Sequence, residues 1–290
     1  MKIIENRKKY IALSLVIMLA GACVMIFNAV SGNGAFNYDV EFSGGTSVQM
    51  EIGQDFDNDE IQEIITQITG QSSPQVQKVL GTTQVTFKIS SVDQETRIEL
   101  VDAIQKKYEL DESSVLNMSD ISATISQEMQ RAAVLAVVIA CAVMLVYISA
   151  RFRDVKTGGS AILALIHDVI MVIIFYGVFR IPLNYSFIAV VLTILGYSIN
   201  ATIVIFDRIR ENKILKNQTN AELVDKSVNQ TLRRSLFTSF TTFLTITCVY
   251  IWGVPSIKNF SLPIMIGIIA GTYSSVFLSG TFWYMMTKKA

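Results

Sequence analysis

The sequence predicts an α-helical membrane protein with six transmembrane helices and one extramembrane α+β domain of ferredoxin-like βαββαβ order. Three observations predict it. Apolar runs close to the spanning length of ~20 residues recur along the chain. Between the first two runs, continuous apolarity gives way to alternation of period two. Basic residues gather in alternate loops, as membrane topology demands.

With 290 residues, 51% of them hydrophobic, and a positive mean hydropathy, the chain is too apolar for an ordinary pair of soluble domains. The runs lie at about 10–30, 130–150, 160–180, 184–206, 236–253 and 262–286. Net charge is formally zero, so the total points to neither nucleic acid nor acidic partners. Placement is more informative. Lys2, Arg7, Lys8 and Lys9 precede the first span, and Arg151, Arg153 and Lys156 follow the second. Arg208, Arg210, Lys213, Lys216, Lys226, Arg233 and Arg234 lie between the fourth and fifth, and Lys288 and Lys289 close the chain. The opposite loops hold only Arg180 and Lys258. Both termini are therefore expected in the cytoplasm, with residues 31–129 facing outward. The first apolar stretch exceeds the ~7–15 residues of a signal-peptide core and is read as an anchor. Cys23, Cys141 and Cys248 all fall in expected spans, which argues against a disulfide framework or a CxxC metal site and for a packing role.

In the outward domain, Phe36, Tyr38, Val40 and Phe42 alternate with polar or small residues, and alternation resumes at Val48, Met50 and Ile52. This predicts strand structure bent at Ser43-Gly44-Gly45-Thr46. Asp57 or Asp59 is placed to cap a helix carrying Ile61, Ile64, Ile65 and Ile68 and ended by Gly70. Short strands follow at 75–80 and 84–90 around a turn at Gly81-Thr82-Thr83. A helix over 94–108 turns Ile98, Leu100, Val101 and Ile104 inward, and a last strand covers 114–119. The domain has neither His nor Cys, and its carboxylates stand where caps and helix surfaces need them, so no catalytic cluster is read there.

The membrane half carries the candidate chemistry. Thr193, Tyr197, Asn200 and Asp207 recur at three-and-four spacing on the fourth span and so share a stripe. An amide at hydrocarbon depth needs a partner helix or a water-filled path. On the fifth span Arg234, Thr238, Thr241 and Thr245 share a second stripe, and packed together the two would form a polar seam. The third span holds His167-Asp168, either a functional ionisable pair or a polar lock between helices. Asp207, Arg208, Arg210 and Glu211 form either an ion-pair knot or a conducting mouth. The linker on to residue 230 suits a helix on the inner surface. The sixth span offers small residues, Gly267, Gly271, Ser274, Ser275, Ser279 and Gly280, for packing alone. His167 is the only histidine, which excludes a multi-histidine metal site.

Two segments carry a family resemblance: Gly196-Tyr197-Ser198-Ile199-Asn200 running into Val204-Ile205-Phe206-Asp207-Arg208-Ile209-Arg210-Glu211, and Asn229-Gln230-Thr231-Leu232 leading to Arg234 and Thr238-Ser239. Phe42-Ser43-Gly44-Gly45-Thr46 and His167-Asp168 add to it. The chain resembles the SecD/SecF family of protein-export proteins, related to RND transporters, and within it the smaller, SecF, branch. The resemblance extends over nearly the whole chain. It implies domains at 1–30, 31–129 and 130–290, the last with a cytoplasmic loop at 207–233, in a multi-pass protein of the bacterial plasma or inner membrane. It further implies an RND-type membrane half, no enzymatic activity, no cofactor and no metal. The implied partners are SecD, the SecYEG translocon, YajC and translocating unfolded polypeptide, with no nucleic acid. The implied function is use of the proton motive force to promote export on the outer face. Asn200, Arg234, Asp168, Asp207 and Thr238 become candidates for the ion path, and Gly44, Gly45, Gly196, Tyr197, Arg208 and Arg210 structural motif positions. The family pattern places an Asp directly after the Asn of the fourth span, where this chain has Ala201. The proton acceptor then lies on a partner, or Asp168 substitutes, or the chain is a non-conducting scaffold or uses another ion. An RND-like carrier of lipids or small molecules is the remaining alternative. It is disfavoured because such carriers hold twelve spans in one chain.

Overall fold

The computed structural model describes residues 1–290 apart from 33, 72, 73, 80, 215–217 and 288–290. Leu80, Lys216, Lys288 and Lys289 of the sequence reading lie outside the described residues. The chain divides into two compact units, one formed by Met1–Asn37 with Val134–Ala290 and the other by Tyr38–Ala133.

In the smaller unit the strands β1 (Gly45–Glu51), β2 (Gln75–Lys78), β3 (Gln84–Ser90) and β4 (Val115–Ile121) form one sheet of order β2-β3-β1-β4. Every neighbouring pair is antiparallel. Alternate residues Val48 and Met50 of β1, and Val85, Phe87 and Ile89 of β3, are buried together with Ile61, Ile65, Leu100 and Ile104. The latter come from the helices Asn58–Thr69 and Gln94–Tyr108, called α3 and α4 below. The Asp57 side chain accepts the Asp59 N–H as the N-cap, and Gly70 closes α3. Ile98, expected inward, is 52% exposed, because α4 has only one core-facing stripe and Leu100, Val101 and Ile104 occupy it.

The expected strand over Phe36–Phe42 is overturned, since Val40–Ser43 form one helical turn, α2. Asp39 decides this locally. Its buried carboxylate accepts the Val40 N–H at 2.7 Å and pairs with Lys88 at 2.7 Å, which starts a turn where alternation alone implies a strand. The glycine pair then turns the chain into β1. Gly44 and Gly45 have φ of 81° and 147°, and a Cβ on Gly45 would run into the Ile89 carbonyl. Thr46 next to it donates to Asp120 Oδ1 at 2.6 Å, fastening β1 to β4.

Among the described residues the chain has six helices long and apolar enough to cross a membrane; five lie in the larger unit, which also takes in the second from Val134 onward. They are α1 (Arg7–Val30), α5 (Ala123–Phe152), α6 (Val155–Val178), α7 (Ser186–Lys213), α8 (Asn220–Trp252) and a last span built from α9 (Pro255–Tyr273), a π-helical turn Ser274–Ser279 and α10 (Gly280–Thr287). The sixth run is thus one interrupted span. The segment 207–233, expected as a cytoplasmic loop, is largely helical. α7 runs on to Lys213, and α8 starts at Asn220 behind a Thr219–Glu222 capping box, so the amphipathic linker is the first part of the fifth span itself. Asn212, buried in α7, donates to Ser227 Oγ and Gln230 Oε1 of α8, both at 2.9 Å, and locks the two extensions side by side.

Candidate functional site

Helix α7 is the element around which the polar groups of the membrane unit are arranged, and it has two polar faces. Ser198 and Asn200 are two residues apart, ~200° around the helix, so they point to nearly opposite sides.

The buried face meets Asp168. This carboxylate is wholly inaccessible, and three donors converge on it. Ser198 Oγ of α7 donates to Oδ2 at 2.5 Å, Ser274 Oγ of the π-helical turn donates to the same oxygen at 2.8 Å, and His167 Nδ1 lies 2.9 Å from Oδ1. One turn along α7, Thr202 Oγ1 and Ser275 Oγ are 3.0 Å apart, and Ser275 Oγ also donates to the Ser198 carbonyl at 3.3 Å. Gly271 permits this approach, because a Cβ there would press on Ser198 Cβ at 3.1 Å. The sulfur-free, hydroxyl-rich contact therefore joins α6, α7 and the last span through one carboxylate. His167 is 7% exposed, and its Nε2 has no hydrogen-bond partner among the described residues. A neutral imidazole with its proton on Nδ1 gives Asp168 a donor and leaves only a lone pair unsatisfied, the cheapest arrangement for a buried ring.

The second face is open. Thr193, Gly196 and Asn200 are exposed, and Tyr197, Ala201 and Asp207 are half-buried. Asn200, Ala201 and Tyr197 line a cleft of about 60 Å³ against Arg234, Ser235 and Thr238 of α8, so the two stripes do meet. Among the described residues, neither the Asn200 nor the Arg234 side chain has a hydrogen-bond or ion-pair partner. The threonines of α8 are satisfied within their own helix: Thr238 donates to the Arg234 carbonyl at 2.8 Å and Thr245 to the Thr241 carbonyl at 2.9 Å. A guanidinium and an amide held open at this depth require a covering of protein or water. Gly196, on the same face, has open space around it among the described residues.

The charge group at the end of α7 is split. Asp207 pairs with Arg151 of α5 at 3.6 Å, while Arg208 pairs with Glu211 at 2.8 Å. Arg210 faces a separate cleft with Asp154 and Trp283. Of the two pairs, only Asp207–Arg151 joins two helices, α7 and α5; the Arg208–Glu211 pair lies within α7. The structure separates Asp168 from the cleft: α7 stands between it and the Asn200 stripe. Reading spans one at a time missed Ser198, Thr202, Ser274 and Ser275. The spacing of Ser198 and Thr202, four apart and off the Asn200 stripe, was the available signal.

The family model for the protein export membrane protein SecD/SecF, C-terminal region, matches residues 101–289, which include every membrane residue of both faces. The chain belongs to the SecD/SecF family. It is 32% identical to the protein translocase subunit SecF of Petrotoga mobilis over 99% of this chain and 96% of that one. It is 34% identical to the SecF subunit of Alicyclobacillus acidocaldarius over 97% of this chain and 91% of that one. A crystal structure of SecDF, a translocon-associated membrane protein from Thermus thermophilus, superposes with a TM-score of 0.81 at 31% identity. It covers all of this chain, which spans 39% of the longer SecDF chain. The chain is thus a multi-pass membrane protein of the SecD/SecF family. Gly44 and Gly45 lie outside the region of the family model but within the span of the full-length relatives.

Proposed function

We propose that this chain is an accessory subunit of Sec-dependent protein translocation that works beside a SecD subunit and uses the proton motive force to promote release of preproteins on the outer face. The observation that carries this reading is the open cleft between α7 and α8. Arg234 and Asn200 line it without partners among the described residues, as expected of half a coupling site completed by a second, homologous half. That the relative from Thermus thermophilus is a fused SecDF chain of which this chain matches a little over a third supports the same assembly. Both termini face the cytoplasm in this reading. Residues 31–129 face outward, and the β2-β3-β1-β4 sheet with its two helices serves as a ferredoxin-like domain that meets SecD or the translocating polypeptide. SecYEG and YajC are the further partners, the site is the bacterial plasma or inner membrane, and the chain has no enzymatic activity.

Ala201 lines the cleft where a carboxylate would take up the proton, and alanine cannot titrate. Asp168 is shielded from the cleft by α7, so in this reading it positions α7, and the partner half supplies the proton-binding group facing Arg234. The second reading, a non-conducting scaffold for SecD, rests on the same Ala201. One experiment separates them: proton-motive-force-driven export in vesicles holding this chain with its SecD partner, with and without Arg234→Gln. Coupling through the cleft requires export to fall roughly tenfold or more at unchanged SecD copurification, the size expected when an interaction worth about 1.4 kcal/mol is lost. Unchanged export would establish the scaffold. A chain that copurifies as a self-sufficient oligomer with bound small molecules, without SecD, would overturn both.

A further inference from the structure

The cleft between α7 and α8 is lined by hydrogen-bond donors, and no carboxylate stands among its lining residues. Arg234 brings a guanidinium that stays charged at any working pH, Asn200 an amide and Tyr197 a phenol, while Ala201 presents only a methyl group. Ser235 adds a hydroxyl of an unusual kind. It is 6% exposed, yet this hydroxyl has no hydrogen-bond partner among the described residues. Thr231 and Thr238, one turn to either side, donate to carbonyls of their own helix at 3.1 and 2.8 Å, the usual solution for a hydroxyl in a span. A buried hydroxyl that forgoes that bond and lines a cleft is free to donate to whatever the cleft holds. The carboxylates of the neighbouring helices are engaged elsewhere. Asp168 lies behind α7 with its three donors, Asp207 pairs with Arg151 at 3.6 Å, and Glu211 pairs with Arg208 at 2.8 Å. On α8 itself, Glu222 accepts from Thr219, and Asp225 accepts the N–H groups of Ile3 and Ile4.

A permanent cation set among donors, with no counter-charge from its own chain, is the chemistry of an anion site. We infer that this cleft binds a small inorganic anion of the chloride type, held against the Arg234 guanidinium by the Ser235 hydroxyl and the Asn200 amide, in the space beside the Ala201 methyl. Size sets the class of anion. At about 60 Å³ the cleft has room for a few water molecules, which suits a monatomic anion and excludes a lipid phosphate with the groups it carries. The inference deepens the function proposed above and shares its cleft: the partner's proton-binding group and the anion are alternative counter-charges of one guanidinium, the anion serving the chain by itself.

The test uses the full chain in detergent, without SecD, in gluconate buffer whose chloride is raised at constant ionic strength. A saturable broadening of the chloride NMR line that bromide displaces, and a saturable rise in the thermal unfolding midpoint, are expected together. Arg234→Gln should weaken the apparent affinity at least about tenfold, the loss of a charge-assisted contact, and Ala201→Asp, which sets a carboxylate beside the guanidinium, by as much. Ser235→Ala should weaken it about fivefold, the worth of one hydrogen bond. Arg233→Gln, next along α8 but outside the cleft, should leave it unchanged. Should Arg234→Gln not fold, Ala201→Asp and Ser235→Ala carry the test. The absence of a saturable response, a response that survives Arg234→Gln or Ala201→Asp, or one lost equally in Arg233→Gln would each overturn the assignment. Export is not read in this experiment, so the two proposals fail separately: a chain that binds no anion leaves coupling through the cleft untouched, and export indifferent to Arg234 leaves the anion site in place.

Discussion

The two faces of α7 use the same kinds of side chain to opposite ends. On the buried face, Ser198 and Thr202 meet Asp168, Ser274 and Ser275 at hydrogen-bond distance, so every hydroxyl has a partner and three helices are fixed at one point. On the open face, Asn200 and Arg234 line a cleft, and their side chains have no hydrogen-bond or ion-pair partner among the described residues. A satisfied polar group in a bilayer holds structure, whereas an unsatisfied one is poised for a partner, an ion or water. The comparison teaches that a carboxylate inside a membrane helix is not by itself the titrating member of an ion path. What surrounds it decides.

The contrast yields expectations of decreasing size. Asp168→Ala strips the acceptor from Ser198, Ser274 and His167 together and is expected to cost about 2–5 kcal/mol, read as a large drop in the thermal unfolding midpoint of the chain in detergent. A midpoint that did not move would make Asp168 a functional rather than a fastening group. Ser198→Ala leaves one of the hydroxyl donors in place and is expected to cost about 1 kcal/mol by the same measurement. Asn200→Leu on the open face should change the midpoint of the single chain by less than about 0.5 kcal/mol while weakening association with a SecD partner; an equal loss from both substitutions would erase the distinction between the faces. Ala201→Asp should leave folding intact and give export a new pH response. An unchanged response, together with abolition of export by Asp168→Asn, would return the proton site to Asp168.

The smallest effect lies in the other unit and serves as a reference for pH. Asp120 is held below the usual carboxylate range, first by the Thr46 hydroxyl and then by Arg97. Glu60 is likewise held low, by Lys107 and then by Tyr108, whose own hydroxyl is pushed up to about 12 by burial and by Glu60. A lowered carboxylate pKa stabilises the fold above its ordinary value of about 4 and loses that contribution as pH falls through the lowered one. Amide protection in residues 45–51 and 115–121, measured against the intrinsic exchange rate at the same pH, should therefore fall below about pH 4, and less so in Asp120→Asn, which has no charge to lose.

Much of this was legible in the chain. The six spans, β3, α3 and α4, and the placing of Asn200 and Arg234 each on a polar stripe of its own helix all follow from periodicity, since a helix puts residues three and four apart on one side wherever it goes. The helical turn at Val40–Ser43 was not legible, because a buried Asp39 paired to Lys88, forty-nine residues away, outweighs local alternation. Nor was the locking of α7 to α8 beyond the expected interface, since the Asn212–Ser227 contact that holds them together exists only after the chain has turned back.

The sequence by itself determined that the protein crosses the membrane, that its fourth span carries an amide stripe, and that this stripe lacks a carboxylate at Ala201, because length, hydropathy and helical spacing are properties of one segment at a time. Only the tertiary structure decided that Asp168 stands behind α7 with three donors and not in the cleft, and that the small residues of the last span are its partners. The side of a helix that a polar group faces is written in its own segment, but whether it is satisfied there depends on what other segments bring to that side.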